Sequence, residues 1–452
     1  MALAGGEVNI LEGNINRAII LLAIPMTLEM GMESLFAVVD IFFVSGIGVN
    51  AIAVVGLTES MLTITYSLGF GVAMGTTAMV ARRVGENDIN AASVSAMQAI
   101  YLGVIASLPI MAAGIFFAED LLRLMGASES VITEGAGYTK LIFGSNLIII
   151  LLFLINGIFR GAGDAALAMR SLWISNGLNI ILDPMLILGI GPFPEMGIEG
   201  AATATIIGRT TGVCYQVYHL YKGKGLIKIH KENRGLKIDV VLRLIKLSAG
   251  VTAQFIIASA SWIFLMRIIS TFGSTALAGY TVAIRVVMFT ILPAWGISNA
   301  AATMVGQNLG AKQPDRAEKS VWRTGLLNVI FMGVVMIIYL VFAYNIVEFF
   351  TDDTEVILRA AECLYIFSVG YLFYAFGMVL VQSFNGAGDT RTPTIMNFFI
   401  FWMMQIPLAY LLAITLSLNS AGVYWAIVIS ESTFTIVGYF LFKRGKWKTV
   451  KV

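Results

Sequence analysis

Charge is what this chain lacks. Asp, Glu, Lys and Arg make up 12% of its 452 residues, about half the ~25% of a soluble domain. With 29 basic and 27 acidic side chains against 58% AVILMFWYC and 45 glycines, the polar groups cannot cover a water-facing surface of this size. A soluble globule is therefore excluded in favour of a polytopic membrane protein. The net charge of +2 provides no basic field for nucleic acid. Cysteine and histidine are nearly absent: Cys214, Cys363, His219 and His230 are the full set, too few for a disulfide framework or a Cys/His zinc centre. Walker A, HExxH and GxSxG motifs are missing, so ATP-driven transport and the common hydrolytic chemistries have no support. The reading is a non-enzyme that needs no organic cofactor. No signal peptide is expected, because the first sixteen residues carry Glu7 and Glu12 without Lys or Arg and the apolar run from Ala18 is too long.

What the chain has in abundance is apolar runs of ~20 residues, each able to cross ~30 Å of hydrocarbon as a helix. Twelve are expected, near 17–44, 51–81, 91–118, 131–159, 166–190, 198–221, 240–270, 276–306, 320–350, 355–385, 391–416 and 421–442. Basic residues between them alternate: 23 of 29 Lys and Arg fall at the two ends or in every second connection, and the opposite connections hold only Arg123 and Arg359. Because Lys and Arg are retained on the cytoplasmic side, both termini are expected there. Lys140, Arg209, Arg267 and Arg285 fall inside expected helices and read first as internal counter-ions.

The chain is a duplication. Met79-Val80 returns as Met304-Val305, and Gly161-Ala-Gly-Asp164 as Gly386-Ala-Gly-Asp389, each displaced by 225 residues, as are Gly48/Gly273 and Ala51/Ala276. Six spans per half give the halves equal topology, related by an axis along the membrane normal. The expected organisation is a first lobe at 1–221, a basic cytoplasmic linker at 222–239 and a second lobe at 240–452. Two such lobes suit alternating access, one rocking against the other. The GAGD motif reads as a helix-ending glycine and an N-cap for the next helix. Gly71-x-x-x-Gly75 and Gly208-x-x-x-Gly212 read as sites of close helix contact.

Ionisable groups inside a bilayer cost about 2.5–3.5 kcal/mol each on insertion scales, so they mark function or pairing. The first span holds Glu29, Glu33 and Asp40, which at ~100° per residue share a face with Phe36. The fifth holds Asn179 and Asp183, one turn apart, followed at once by Pro184. The proline frees the Ile180 carbonyl. Carboxylate, amide oxygen and carbonyl are hard-oxygen ligands for a small cation, and Thr203 or Thr205 of the sixth span adds a hydroxyl; Glu59 is a further acid. Displaced by 225, Asp40, Asp183, Asn179, Glu33 and Glu59 become Leu265, Leu408, Met404, Ala258 and Ile284. A constellation confined to one half reads as a site rather than as duplicated scaffold. Pro25, inside the first apolar run, cannot donate to the Leu21 carbonyl and is expected to bend that helix and serve as its hinge.

In order along the chain, Pro25, Val39-Asp40, Val84-Gly85, Asn156-Gly157 through Asp164, Asn179-x-x-x-Asp183-Pro184, Gly200-Ala-Ala-x-Ala-Thr205 and Met304-Val-Gly-Gln-Asn-Leu-Gly310 resemble the multidrug and toxic compound extrusion (MATE) transporters over nearly the whole length. The resemblance implies an all-α integral membrane fold of twelve helices in two six-helix lobes. It also implies export of organic cations or amphipathic small molecules in exchange for Na+ or H+. Carried over by position, it places the coupling ion at Asp40, Asn179, Asp183 and Thr205, and Tyr138 and Asn156 in the substrate cavity, to which Glu33 and Phe36 are added from their shared face. Where some members place coupling acids in the second lobe, this chain has Gln254 in its seventh span and no acid between Leu364 and Asn385. The expected setting is a prokaryotic cytoplasmic membrane, with a monomer as the unit, the bilayer and an organic substrate as partners, and no nucleic acid. The alternative is a flippase for lipid-linked precursors of the same superfamily, which would favour several cavity Arg or Lys.

Overall fold

The computed structural model describes residues 10–223 and 225–452; Glu7 and Lys224 lie outside the described residues. Among these the chain is helical, without strands. In chain order the long helices are α1 (Ile15–Ser45), α2 (Val49–Gly85), α3 (Ile89–Leu124), α4 (Glu129–Gly144), α5 (Asn146–Ala162), α6 (Ala165–Ile187), α7 (Gly197–Tyr221), α8 (Ile238–Ser270), α9 (Ser274–Gly310), α10 (Pro314–Glu348) and α11 (Thr354–Ala387). Two more follow, α12 (Arg391–Thr415) and α13 (Asn419–Lys443).

Ten of these are long and apolar enough to cross a membrane, and α4 with α5, bent by 40° at Ser145, makes an eleventh span. The remaining helix, α7, carries Glu199, Arg209, Gln216 and His219 and is correspondingly less apolar. It completes six spans in each half, the twelve-helix arrangement expected from hydropathy.

Local signals repeat with the sequence. Gly163 ends α5 in the left-handed region at φ 91°, and Gly388 ends α11 at φ 87°, a conformation glycine adopts without steric cost. Asp164 then caps α6 by accepting from the Leu167 amide, and Asp389, just ahead of α12, accepts in the same way from the Thr392 amide. The halves differ in α12, whose backbone widens to π-helix over Phe398–Gln405 and Leu411–Thr415; its counterpart α6 is α-helical throughout.

Two compact units result. One spans Leu28–Thr252; the other takes the described residues up to Thr27 together with Ala253–Val452. In the first, Val54, Leu62, Tyr138, Ile142 and Phe143 form a core; in the second, Leu265, Tyr280, Tyr339, Tyr371 and Tyr424 do. The boundaries fall inside α1 and α8 rather than in the basic linker. The linker is strapped to α3: Gln98 donates to the Gly235 carbonyl at 2.9 Å and accepts from the Lys237 amide at 3.0 Å, and Tyr101 donates to the Arg234 carbonyl at 2.9 Å. In the second unit Arg316 donates to the carbonyls of Ile10, Glu12 and Gly13, holding the chain entering α1.

Candidate functional site

Close packing of α6 on α7 sets the geometry of the first unit. A Cβ at Gly200 would meet the Leu186 backbone, one at Gly208 the Ser175 carbonyl and Asn179, and one at Gly212 the Ser171 carbonyl. With these glycines α7 lies flush against α6, and polar side chains on the facing stripes come within hydrogen-bond reach.

Asn179 is the centre of that contact. Its Nδ2 donates to Thr205 Oγ1 at 3.1 Å and to Asp183 Oδ1 at 3.3 Å. Asn179 Oδ1 and Asp183 Oδ2 are buried without hydrogen-bond partners. Thr203 belongs elsewhere, donating to the Glu199 carbonyl at 2.8 Å on the exposed side of α7. Asp40 of α1 is buried and stands close enough to Asp183 for their charges to repel, though no hydrogen bond joins it to the Asn179 group. The structure thus joins Asn179, Asp183 and Thr205 directly, with Asp40 beside them. Two orphan acceptor oxygens next to a hydroxyl and a second carboxyl form an all-oxygen set that suits a monovalent cation or a proton. Among the described residues no three His, Cys, Asp or Glu side chains converge as a transition-metal site would require.

The other acids of α1 lie on the same face, as their spacing implies, but they are paired. Glu29 accepts from Asn156 Nδ2 at 3.0 Å and sits 3.6 Å from Arg160. Glu33 accepts from Asn176 Nδ2 at 2.8 Å and lies 3.6 Å from Arg209. The Arg209 guanidinium stands over the rings of Phe36 and Phe153, 5.6 and 5.7 Å from their centroids.

Two residues expected to line a cavity are tied into packing. Asn156 is fully buried, its Oδ1 accepting from Ser171 and Gln216, both at 2.7 Å, and Tyr138 belongs to the core around Val54 and Ile142. The intramembrane cations also need correction. Arg209 is an internal counter-ion as expected, but Lys140, Arg267 and Arg285 are exposed. Conversely Arg160, counted among the connecting residues, is buried inside the end of α5.

The repeat shows what these pairs are. Displaced by 225, Glu29 and Arg160 become Gln254 and Asn385, and these two are hydrogen-bonded to each other at 3.0 and 3.2 Å. The same helix-to-helix contact is ionic in one half and a neutral amide pair in the other. Glu431 escaped the sequence reading altogether. It stands in the middle of α13, and its position within the last apolar run was the signal available.

Twelve helices built by duplication, with carboxylates buried in one half, form a polytopic membrane protein. The family model described as MatE matches the chain once in each half, over residues 25–185 and 251–411, and the chain belongs to that family. It is 28% identical over 96% of its length to the probable multidrug resistance protein YoeA of Bacillus subtilis, covering 95% of that protein. It is 26% identical, over 96% of its own length and 93% of the relative, to the probable multidrug resistance protein NorM of Thermotoga maritima. A solved structure described as a crystal structure of MATE in complex with MaL6 superposes with a TM-score of 0.92 at 27% identity, covering 98% of each chain. Members of this family are transporters that need no organic cofactor, and this chain is a multi-pass membrane protein handling small molecules.

Proposed function

We propose that the protein is a secondary active antiporter of a bacterial cytoplasmic membrane, exporting amphipathic organic cations in exchange for Na+ or H+, with both termini cytoplasmic. The observation that carries the reading is the pair of unpartnered, buried acceptor oxygens on Asn179 and Asp183 beside Thr205 and Asp40. A buried acceptor left unpaired is costly, and a cation or proton entering there relieves both that cost and the repulsion between two carboxylates. Ion and substrate then favour opposite orientations of the transporter, and each shifts the population the other binds. The relatives named as probable multidrug resistance proteins support the breadth of transport, and one named as a multidrug export protein supports its direction.

Pro25 is the proposed hinge of α1, which belongs to one unit up to Thr27 and to the other from Leu28 onward. A flippase would want free cavity cations for a pyrophosphate; Arg160 and Arg209 are each matched by an acid, which disfavours it. The test is tetraphenylphosphonium transport in proteoliposomes under imposed Na+ and pH gradients. Export driven by at least one gradient is expected, and transport indifferent to both would overturn the antiport reading.

A further inference from the structure

At one end of the second unit, basic residues surround a hollow that ion and substrate exchange does not use. Two adjoining cavities, of about 390 and 420 Å³, share Ile15, Arg316 and Lys319 in their walls. Lys312 lines the first, and Trp322 and Arg323 line the second. Arg316 is fixed in place because its guanidinium donates to the carbonyls of Ile10, Glu12 and Gly13, which are neutral and leave its charge unmatched. Trp322 is fixed as well, its ring stacked on Phe376 with centroids 5.6 Å apart. The nearby acids are engaged by another base: Lys448 lies 3.8 Å from Asp315 and 2.5 Å from Glu318. Among the described residues, Lys312, Arg316, Lys319 and Arg323 make no ion pair.

This cluster is not duplicated scaffold. Displaced by 225, Lys312, Arg316, Lys319 and Arg323 become Asn87, Ala91, Val94 and Gln98, none of them charged. In the first unit Gln98 bonds the linker at Gly235 and Lys237, and Asn233 of the linker donates to Asn90 at 2.7 Å, so the start of α3 is covered where the start of α10 stays open. Asn87 and Lys312 hold the same left-handed turn, at φ 61° and 57°. Asparagine is enriched in that conformation and lysine is not. The second half therefore keeps a lysine at the cavity in spite of its backbone cost.

The rest of α10 indicates what the bases are for. At ~100° per residue, Lys319 and Arg323 stand within about 60° of Leu326, Ile330, Val334, Ile337 and Val341, all exposed. On a membrane span such a stripe faces acyl chains. It runs from hydrocarbon straight into the basic hollow at the end of the helix. We infer that this hollow binds the phosphodiester headgroup of an anionic phospholipid of the phosphatidylglycerol type, with an acyl chain lying along α10. Arg323 can present paired N–H groups to the phosphate oxygens, Lys312 and Lys319 add ammonium groups, and Arg316 is a fixed positive wall. A zwitterionic headgroup would bring its own cation into the cluster and is disfavoured. The inference rests on the membrane setting alone, not on the substrate or the direction of transport.

The test is native mass spectrometry of the full-length protein in detergent, titrated with phosphatidylglycerol or with phosphatidylcholine of the same acyl chains. The parent is expected to retain phosphatidylglycerol preferentially. Lys319→Gln combined with Arg323→Gln should weaken that binding on the order of tenfold, while the protein elutes and melts as the parent does. Lys228→Gln combined with Lys231→Gln removes equal charge from the linker and should leave the binding near the parent's. Inorganic phosphate and glycerophosphoglycerol, which lack the chains, should not displace the lipid. A diazirine-bearing phosphatidylglycerol should crosslink the unsubstituted protein on α10 between Lys319 and Val341, a readout that depends on no variant. Equal retention of the two lipids, equal losses in the two double variants, displacement by inorganic phosphate, or crosslinks confined to other helices would each overturn the inference.

Discussion

Glu29 and Arg160 form an ion pair at 3.6 Å in the buried interior of the first unit, at positions whose counterparts in the second unit are the amides Gln254 and Asn385. The repeat therefore contains both halves of an exchange experiment. Removing one member of a buried pair leaves an uncompensated charge and costs about 3–5 kcal/mol. Replacing both by groups that satisfy each other costs much less.

Glu29→Gln and Arg160→Asn, made singly, are expected to lower the apparent melting temperature of the detergent-solubilised protein, with Arg160→Asn the worse because it strands a carboxylate. The double variant, which copies the second unit, is expected to recover most of the loss. Tryptophan fluorescence melts of the four proteins check this, and additive losses would show that the two side chains do not act as a pair.

Asp183→Asn is expected to weaken binding of the coupling ion, and Leu408→Ala, at the corresponding place in the repeat, to leave it unchanged. Thr205→Val removes the hydroxyl that meets Asn179 and should weaken binding about 3–10-fold, the equivalent of ~0.5–1.5 kcal/mol for one hydrogen bond. Thr203→Val should change nothing. A calorimetric Na+ titration, with a parallel proton-release measurement, gives the ranking; equal effects of Thr203 and Thr205 would remove Thr205 from the site.

Asp40→Asn is expected to abolish gradient-driven efflux while the protein still inserts and folds, since the change removes a charge that is costly to bury and contributes little to packing. Vesicle efflux assays at matched protein levels measure it, and undiminished coupling would exclude Asp40 from ion binding.

Gly208→Val is expected to separate α6 from α7, because its side chain would meet the Ser175 carbonyl and Asn179. Overpacking of this kind costs about 1–3 kcal/mol, and it should carry ion affinity down with stability. Gly56→Ala, where an added Cβ meets nothing, is the control that should be neutral in the same melts and titrations.

Pro25→Ala restores a backbone donor within α1 and is expected to reduce its bending. Spin labels on α1 and on a static helix of the first unit, compared at low and high pH and with and without Na+, should show distances that change in the parent and change less in the variant. Unchanged distances in transporting parent protein would rule the hinge out.

Composition and pattern determined much about this protein unaided. Lipid offers no partners for a helix backbone, so every crossing needs its ~20 apolar residues in one run, and the spans are legible one by one. Duplication was legible because caps are local: Gly163-Asp164 and Gly388-Asp389 end and restart helices through contacts within a few residues. The shared face of Glu29, Glu33 and Asp40 follows from helical period alone. What only the tertiary structure decided is which buried charge has a partner. Glu29 finds Arg160 and Glu33 finds Arg209 across long stretches of chain, and Thr205 rather than Thr203 reaches Asn179. Those outcomes depend on how each helix is rotated against its neighbour and on where glycine lets two backbones touch. Helix rotation and packing of that kind arise from contacts summed over whole interfaces, which no residue records in its own sequence neighbourhood.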